Sequence, residues 1–335
     1  MNTIIDNAKL TPADFTTDQE VRWCPGCGDY SILKAVRKTM AESGVLRENT
    51  VVVSGIGCAS RFPYYVDAYG FHGIHGRAPA LATGVLLANP DLDVWIATGD
   101  GDALSIGGNH LVHILRRNVN CQIILFNNEI YGLTKGQYSP TSQKNTISPS
   151  SPFGSLDSPI NAAHLALGSG ARFVARAVDT QQKQIAGILK TAHEHKGTSF
   201  VEVFQNCFVF NDQVYADFTA KDKVADNQVQ VEDGQPMLFG KDKEKGLRFD
   251  LKTMKLVVCS ADDDVLVHDV TNSTIANLLA DMEPGMPIAT GILYDAPAPV
   301  YERDVYQQID QAIAANEGKK RTIQDIMNAG YTWKV

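Results

Sequence analysis

Between Asp29 and Cys207 the chain alternates between two hydrophobic periods, and this alternation constrains the fold more than any other feature. TVVVSG (50–55), DVWIATG (93–99), CQIILFNN (121–128), ARFVARA (171–177) and SFVEVFQNC (199–207) are short apolar runs, the pattern of strands buried on both faces. Helical patterns lie between them. In the segment from Asp29, residues Ile32, Leu33, Val36 and Met40 fall on one face, with Asp29 as N-cap and Gly44 as the stop. RAPALATGVLLANP (77–90) reads as a buried helix that ends before Pro90. GGNHLVHILRRN (107–118), NAAHLALGSG (161–170) and TQQKQIAGILKTAHEH (180–195) continue the series. Strands alternating with helices pair in parallel, so the expected fold is α/β, a parallel sheet covered by helices on both faces. Such sheets bind ligands at the carboxyl ends of their strands. The unusual residues of this chain lie there.

The flanks differ in texture. Residues 1–22 are polar and read as a loose N-terminal arm, so the main α/β domain is expected over 23–210. Residues 211–250 are charged and Gly-rich, an irregular connection, and 255–335 hold weaker elements such as HDVTNSTIANLLADM and YQQIDQAIAA. Together 211–335 read as a C-terminal extension. A net charge of -8 argues against a nucleic-acid footprint, which needs a basic face. The first twenty residues lack the basic and apolar regions of a secretory signal. No apolar run approaches the roughly 18–20 residues that span a bilayer, so no membrane partner is expected and the expected location is cytoplasmic.

The segment from Gly99 to Asn128 begins with GDG at one strand end and finishes with NN at the next. Asp100 and Asn128 therefore come from adjacent strand ends and can meet. A carboxylate, an amide oxygen and a nearby carbonyl form the hard oxygen set that Mg²⁺ takes together with phosphate oxygens. Glycines there let the backbone approach a diphosphate. The unit resembles the thiamine-diphosphate-binding motif, and the resemblance implies Asp100, Asn128 and the Ile130 carbonyl as metal ligands. Asp102 reads as a cap of the following helix. His110 and His113, at i, i+3 without a third ligand, read as packed or half-exposed, and His193 and His195 as solvated.

WCPGCGDY (23–30) carries two cysteines three apart. Alone, the pair fits a redox disulfide, half a zinc site or half an iron–sulfur site. Cys58 follows the strand 50–55, and Cys207 ends the strand 199–207, so four cysteines can gather at one sheet edge beside the diphosphate site. Four thiolates hold Zn²⁺ or a [4Fe–4S] cluster, and spacing does not decide between them. Cys121, at the opposite end of its strand, and Cys259 read as structural thiols.

Taken together, WCPGCGDYSIL, GIGCASRF, HGIHGRAPALATGVLLANP, GDGDALSIGGNH and FNNEIYGLTKGQYSPTS resemble the β subunit of 2-oxoacid:ferredoxin oxidoreductases. They are most similar to the 2-oxoglutarate type. The resemblance covers residues 20–210 strongly and 285–310 more weakly. It implies a thiamine-diphosphate-binding fold with a [4Fe–4S] cluster on Cys24, Cys27, Cys58 and Cys207. It implies that Ile56, Gly57, Cys58 and Ala59 contact the cofactor and that His75 lines its site. Gly101 and Asp102 would flank the diphosphate, and Gly132 and Leu133 would close over it. The family usually has Ser after the third cluster cysteine; here it is Ala59, so a hydroxyl contact is missing or moved to Ser60.

The implied reaction is oxidative decarboxylation of a 2-oxo acid to an acyl-CoA, or the reverse carboxylation. In thiamine enzymes the activating carboxylate sits on a separate pyrimidine-binding domain. Residues 211–335 contain no second α/β domain of that size, so an α subunit should complete the site, as a heterodimer or α2β2. The chain also lacks a ferredoxin-like run of four close cysteines, which sends the electrons to a separate carrier, ferredoxin. Lys135 is a candidate partner for the distal carboxylate of 2-oxoglutarate, and Arg61 is a second. With His75 they form the candidate catalytic set. A pyruvate-type enzyme of the same family uses the same motifs. Two rivals remain: a non-redox thiamine decarboxylase or carboligase with structural zinc, and a zinc-stabilised binding module in which GDG and NN are incidental turns.

Overall fold

The computed structural model describes residues 10–282, 285–315 and 321–333. Its strands are β1 Thr50–Ser54, β2 Tyr69–His72, β3 Asp93–Gly99, β4 Cys121–Asn127, β5 Ile130–Tyr131 and β6 Gln137–Tyr138. They continue as β7 Phe173–Val178, β8 Ser199–Phe204, β9 Gln228–Val231, β10 Leu238–Phe239, β11 Lys245–Asp250, β12 Lys255–Ser260 and β13 Ile288–Asp295. Eight of them form one sheet in the order β2-β1-β3-β4-β8-β7-β13-β9. From β2 to β7 neighbours run parallel. β13 pairs antiparallel with β7 and parallel with β9, so the last two strands run the other way. The sheet is thus mostly parallel, and its reversed edge comes from the segment expected to be an appendage.

Seven helices position the site: α1 Asp29–Ser43, α2 Phe62–Tyr65, α3 Ala78–Ala88, α4 Asp100–Leu104, α5 Gly108–Arg117, α6 Ala162–Gly168 and α7 Gln182–Glu194. Successive residues of a strand point to opposite faces, and β3 shows the consequence. Val94 and Ile96 enter one core with Leu86 of α3, Leu111 of α5 and Ala166 of α6. Trp95 and Ala97 enter the other, with Val36 and Met40 of α1 and Leu189 of α7. Both faces are covered, so the central strands lack polar alternation.

Several expectations need correcting. Residues 1–9 of the expected arm lie outside the described residues. From Pro12 the chain is packed rather than loose: Phe15 is fully buried with α1, and Thr16 bridges Val66. Asp29 is the first residue of α1 and its carboxyl is buried, so it does not cap the helix from outside; Gly44 does end it, at φ 73°. His193 and His195 are not solvated. His193 stacks on Trp95 with Nε2 3.3 Å from Asp93 Oδ1, and buried His195 places Nδ1 2.8 Å from Asp295 Oδ1. His110 and His113 are half-buried, and Cys121 is fully buried. Among the described residues no helix is long and apolar enough to cross a membrane.

Candidate functional site

The carboxyl ends of β1, β3 and β4 open into a cavity of about 300 Å³. The turn after β1 contributes Ile56, Gly57, Cys58 and Ala59, and the loop before α3 contributes His75. Asp100, Gly101 and Asp102 enter from the first turn of α4; Asn128, Ile130, Gly132 and Leu133 enter from the segment after β4. The structure therefore brings every nominated cofactor and Mg²⁺ residue into one space.

Asp100 is buried, and its Oδ2 accepts hydrogen bonds from Ser139 Oγ and Thr141 Oγ1, each 2.6 Å away. Thr141 Oγ1 also lies 2.9 Å from Asn127 Oδ1. Burial raises the Asp100 carboxyl and the two hydroxyls oppose that. Among the described residues no cation pairs with it, and an uncompensated buried carboxylate is the environment a divalent cation relieves. Asn128 is oriented from behind. Its Nδ2 donates to Gln205 Oε1 at 2.6 Å, leaving Oδ1 to accept from the Ile130 amide at 3.2 Å.

Asp102 does not cap a helix. Its Oδ1 accepts from the Gly76 amide at 2.7 Å and its Oδ2 from Thr98 Oγ1 at 2.8 Å. His75 Nδ1 is 3.1 Å from Asp102 Oδ1 but off the angle of a hydrogen bond. Asp102 thus ties β3 to the loop that presents His75. Gly101 is required by close approach: a Cβ there would lie 2.3 Å from the ring of Tyr131, whose hydroxyl donates to the Gly101 carbonyl at 2.8 Å.

A second cavity, of about 220 Å³, adjoins the first. Cys24, Cys27, Cys58 and Cys207 all line it, as do Arg61 and Lys135. Cys58, Gly132 and Leu133 line both cavities. All four thiols are free. Burial pushes the Cys58 thiol up to about 12, raises Cys27 further, and raises Cys207. Cys58 is fixed through its carbonyl, which accepts from Trp23 Nε1 at 2.9 Å. A Cβ on Gly132 would stand 3.4 Å from Cys207 Sγ and narrow the space. Among the described residues no three His, Cys, Asp or Glu side chains converge closely enough for a single metal ion. The four thiols instead surround a volume. Arg61 Nη1 donates to the Arg22 carbonyl at 2.6 Å, whereas Lys135 is exposed with φ 76°.

Sequence reasoning missed several contributors. Asp29 is buried at the wall of the first cavity, where burial pushes its carboxyl up to about 7. Ser139 and Thr141 lie in a stretch whose composition reads only as loop. Gln205, two residues before Cys207, serves both halves: its Oε1 takes Asn128, and its Nε2 lies 3.5 Å from Cys27 Sγ. Only the strand-end position of Gln205 hinted at a role.

Residues 55–203 match the family model for the thiamine pyrophosphate enzyme, C-terminal TPP binding domain. The 2-oxoglutarate oxidoreductase subunit KorB of Mycobacterium tuberculosis is 46% identical over 330 residues, 96% of this chain and 88% of that protein. The 2-oxoacid:ferredoxin oxidoreductase 1 subunit beta of Aeropyrum pernix is 45% identical over 62% of this chain and 65% of its own length. A solved 2-oxoglutarate:ferredoxin oxidoreductase from Magnetococcus marinus, with 2-oxoglutarate, coenzyme A and succinyl-CoA bound, superposes with a TM-score of 0.77 at 35% identity, covering 96% of both chains. With a thiamine-type cavity at its strand ends and relatives of this extent, the chain belongs to the β subunits of the 2-oxoacid:ferredoxin oxidoreductases.

Proposed function

We propose that this β subunit serves a 2-oxoglutarate:ferredoxin oxidoreductase that uses thiamine diphosphate, Mg²⁺ and a [4Fe–4S] cluster, decarboxylating 2-oxoglutarate and acylating CoA, or running in reverse. The observation that carries the reading is the common wall of Cys58, Gly132 and Leu133 between the cofactor cavity and the four-cysteine cavity. Thiamine diphosphate supplies an electron sink for loss of CO₂, and an iron–sulfur cluster accepts electrons singly. A shared wall keeps that transfer short.

The chain's own residues prepare both compartments. Asp100, Asn128 and the Ile130 carbonyl would hold Mg²⁺, with Ser139, Thr141 and Gln205 fixing the first two. Gly101 leaves room for the diphosphate, and Asp102 positions the His75 loop. Cys24, Cys27, Cys58 and Cys207 would hold the cluster. Four thiolates could hold zinc or a multi-iron cluster, and the oxidoreductase naming of the relatives favours the cluster. Of the cations lining the cysteine cavity, Lys135 and Arg61 are the candidates for pairing with a distal carboxylate. Residues 23–210 carry the site residues, and β9 and β13 from the later part of the chain complete the same sheet.

The relatives' naming as β subunits supports an α subunit that carries the pyrimidine-binding domain and completes the cavity, in a heterodimer or α2β2. The 2-oxoglutarate, coenzyme A and succinyl-CoA bound to the solved relative support 2-oxoglutarate and CoA as reactants. Ferredoxin is the proposed acceptor. A reducing compartment keeps the thiols available for iron, so the proposed location is the cytoplasm. Iron, acid-labile sulfide and zinc measured on the anaerobically purified complex test the reading. About four irons and four sulfides per β chain are expected. Zinc without sulfide would overturn the redox function and leave a thiamine enzyme with a structural metal.

A further inference from the structure

A second polar cleft, of about 640 Å³, lies at the opposite edge of the sheet, beside the amino-terminal ends of β4 and β7. Arg116 and Arg117 enter it from the last turn of α5, Arg172 from the residue before β7, and Tyr301 and Asp304 from the helix Tyr301–Ala315. Three guanidinium groups beside one carboxylate reverse the sign of a chain whose net charge is -8. Among the described residues none of these three arginines forms an ion pair, whereas Arg22, Arg47, Arg176 and Arg303 do.

Arg172 has donors to spare. Its Nη1 and Nη2 reach Tyr294 Oη and the Pro297 carbonyl only at 3.4 Å, and its Nε is buried without a hydrogen-bond partner. The long Nη contacts leave guanidinium donors that an anionic oxygen in the cleft would engage more strongly. The surrounding frame is rigid. Arg117 lies over the Tyr301 ring, 5.7 Å from its centroid. Asn118, buried behind it, donates to the Pro299 carbonyl and accepts from the Thr198 amide, both at 3.0 Å. The cations are therefore held on fixed backbone at the cleft. A single phosphate would engage only part of a set spread over two elements. Two or more linked phosphates match the charge of three guanidinium groups carried on two elements.

We propose that this cleft binds a small ligand carrying at least two phosphate groups, such as pyrophosphate or the diphosphate of a nucleotide, apart from the thiamine diphosphate cavity. The assembled enzyme, saturated with thiamine diphosphate and with Mg²⁺ in fixed excess, is titrated calorimetrically with pyrophosphate and with ADP. Filling the catalytic cavity first removes its diphosphate site from the measurement. Saturable binding is expected, weakened at least about tenfold in an Arg116→Ala/Arg172→Ala double variant. The single variant Arg116→Ala, at an exposed position, should lose part of that affinity and guards against a folding defect in the double variant. Turnover of both variants should stay within about twofold of the parent, because the cleft is at the far end of the strands. Tighter binding of ADP than of pyrophosphate, abolished by Tyr301→Leu, would add the ring to the site; equal binding would confine it to the phosphates. Absence of saturable binding by both probes at millimolar concentration would overturn the proposal, as would affinity unchanged in the double variant.

Discussion

The two adjoining cavities share a wall yet are built on opposite principles. In the cofactor cavity three key side chains already have partners, while His75 Nδ1 and Asp29 Oδ2 do not: Asp100 has two hydroxyls, Asp102 has Gly76 and Thr98, and Asn128 has Gln205. In the cysteine cavity four thiols come from three separate segments, and burial holds Cys27, Cys58 and Cys207 above the ordinary thiol range. The first cavity is organised by the chain itself. The second would reach its working state when the proposed cluster draws off the protons and supplies positive charge. The shared wall would then join a preformed site to one completed by its ligand.

The largest effect should come from breaking the second cavity alone. Cys24 is exposed and lines only that cavity. Cys24→Ser should cost more than the roughly 10–100-fold typical of outer-shell changes in electron transfer to ferredoxin. Iron and sulfide should fall together, while affinity for thiamine diphosphate and Mg²⁺ changes by less than about twofold. Paired metal analysis and cofactor titration read both quantities. Cofactor affinity falling in step with iron would mean that the two cavities form as one unit rather than independently.

A smaller effect should come from loosening the first cavity. Thr141→Val preserves shape but removes a donor to Asp100 and a contact to Asn127. Metal-dependent cofactor binding should weaken about tenfold, the lower end for outer-shell partners. Iron content should not change. Ser139 still holds Asp100 in this variant, so Ser139→Ala/Thr141→Val should exceed either single loss. A Thr141→Val enzyme with full Mg²⁺ affinity would show that the hydroxyls only satisfy a buried carboxylate and do not orient a metal ligand.

The same contrast explains what was legible in the sequence. Strand and helix periods, the Gly44 stop and the GDG and NN strand ends are local patterns, and the structure has the corresponding elements where those patterns lie. The partners of Asp100 are not local: Ser139 and Thr141 are 39 and 41 residues away, in a stretch with no period to betray them. Asp29 and Asp102 were misread for a related reason. An aspartate at a helix start has the signature of a cap, and only the tertiary fold turns these two inward. Phe15 is a lone aromatic in a polar arm and β9 (QVQV) is too short to show a period, while β13 (IATGILYD) lies far along the chain from the strands it joins; each is buried by contact with elements made elsewhere.

The smallest effect, and the most diagnostic for the shared wall, concerns Lys135. It is exposed at the β5–β6 turn and lines the cysteine cavity, whereas His75 lines the other. Arg61 is committed to the Arg22 carbonyl, so Lys135 is the freer cation. Lys135→Ala should lower kcat/KM for 2-oxoglutarate about fivefold to tenfold while leaving pyruvate within about twofold, since an exposed charge pair is worth about 1 kcal/mol. Equal losses on both substrates would remove Lys135 from substrate choice. A selective loss with iron intact would mean that the distal carboxylate reaches past Gly132 and Leu133 toward the cluster side. A loss accompanied by falling iron would assign Lys135 to the cluster's surroundings instead, because a cation at that wall offsets the negative charge of four thiolates.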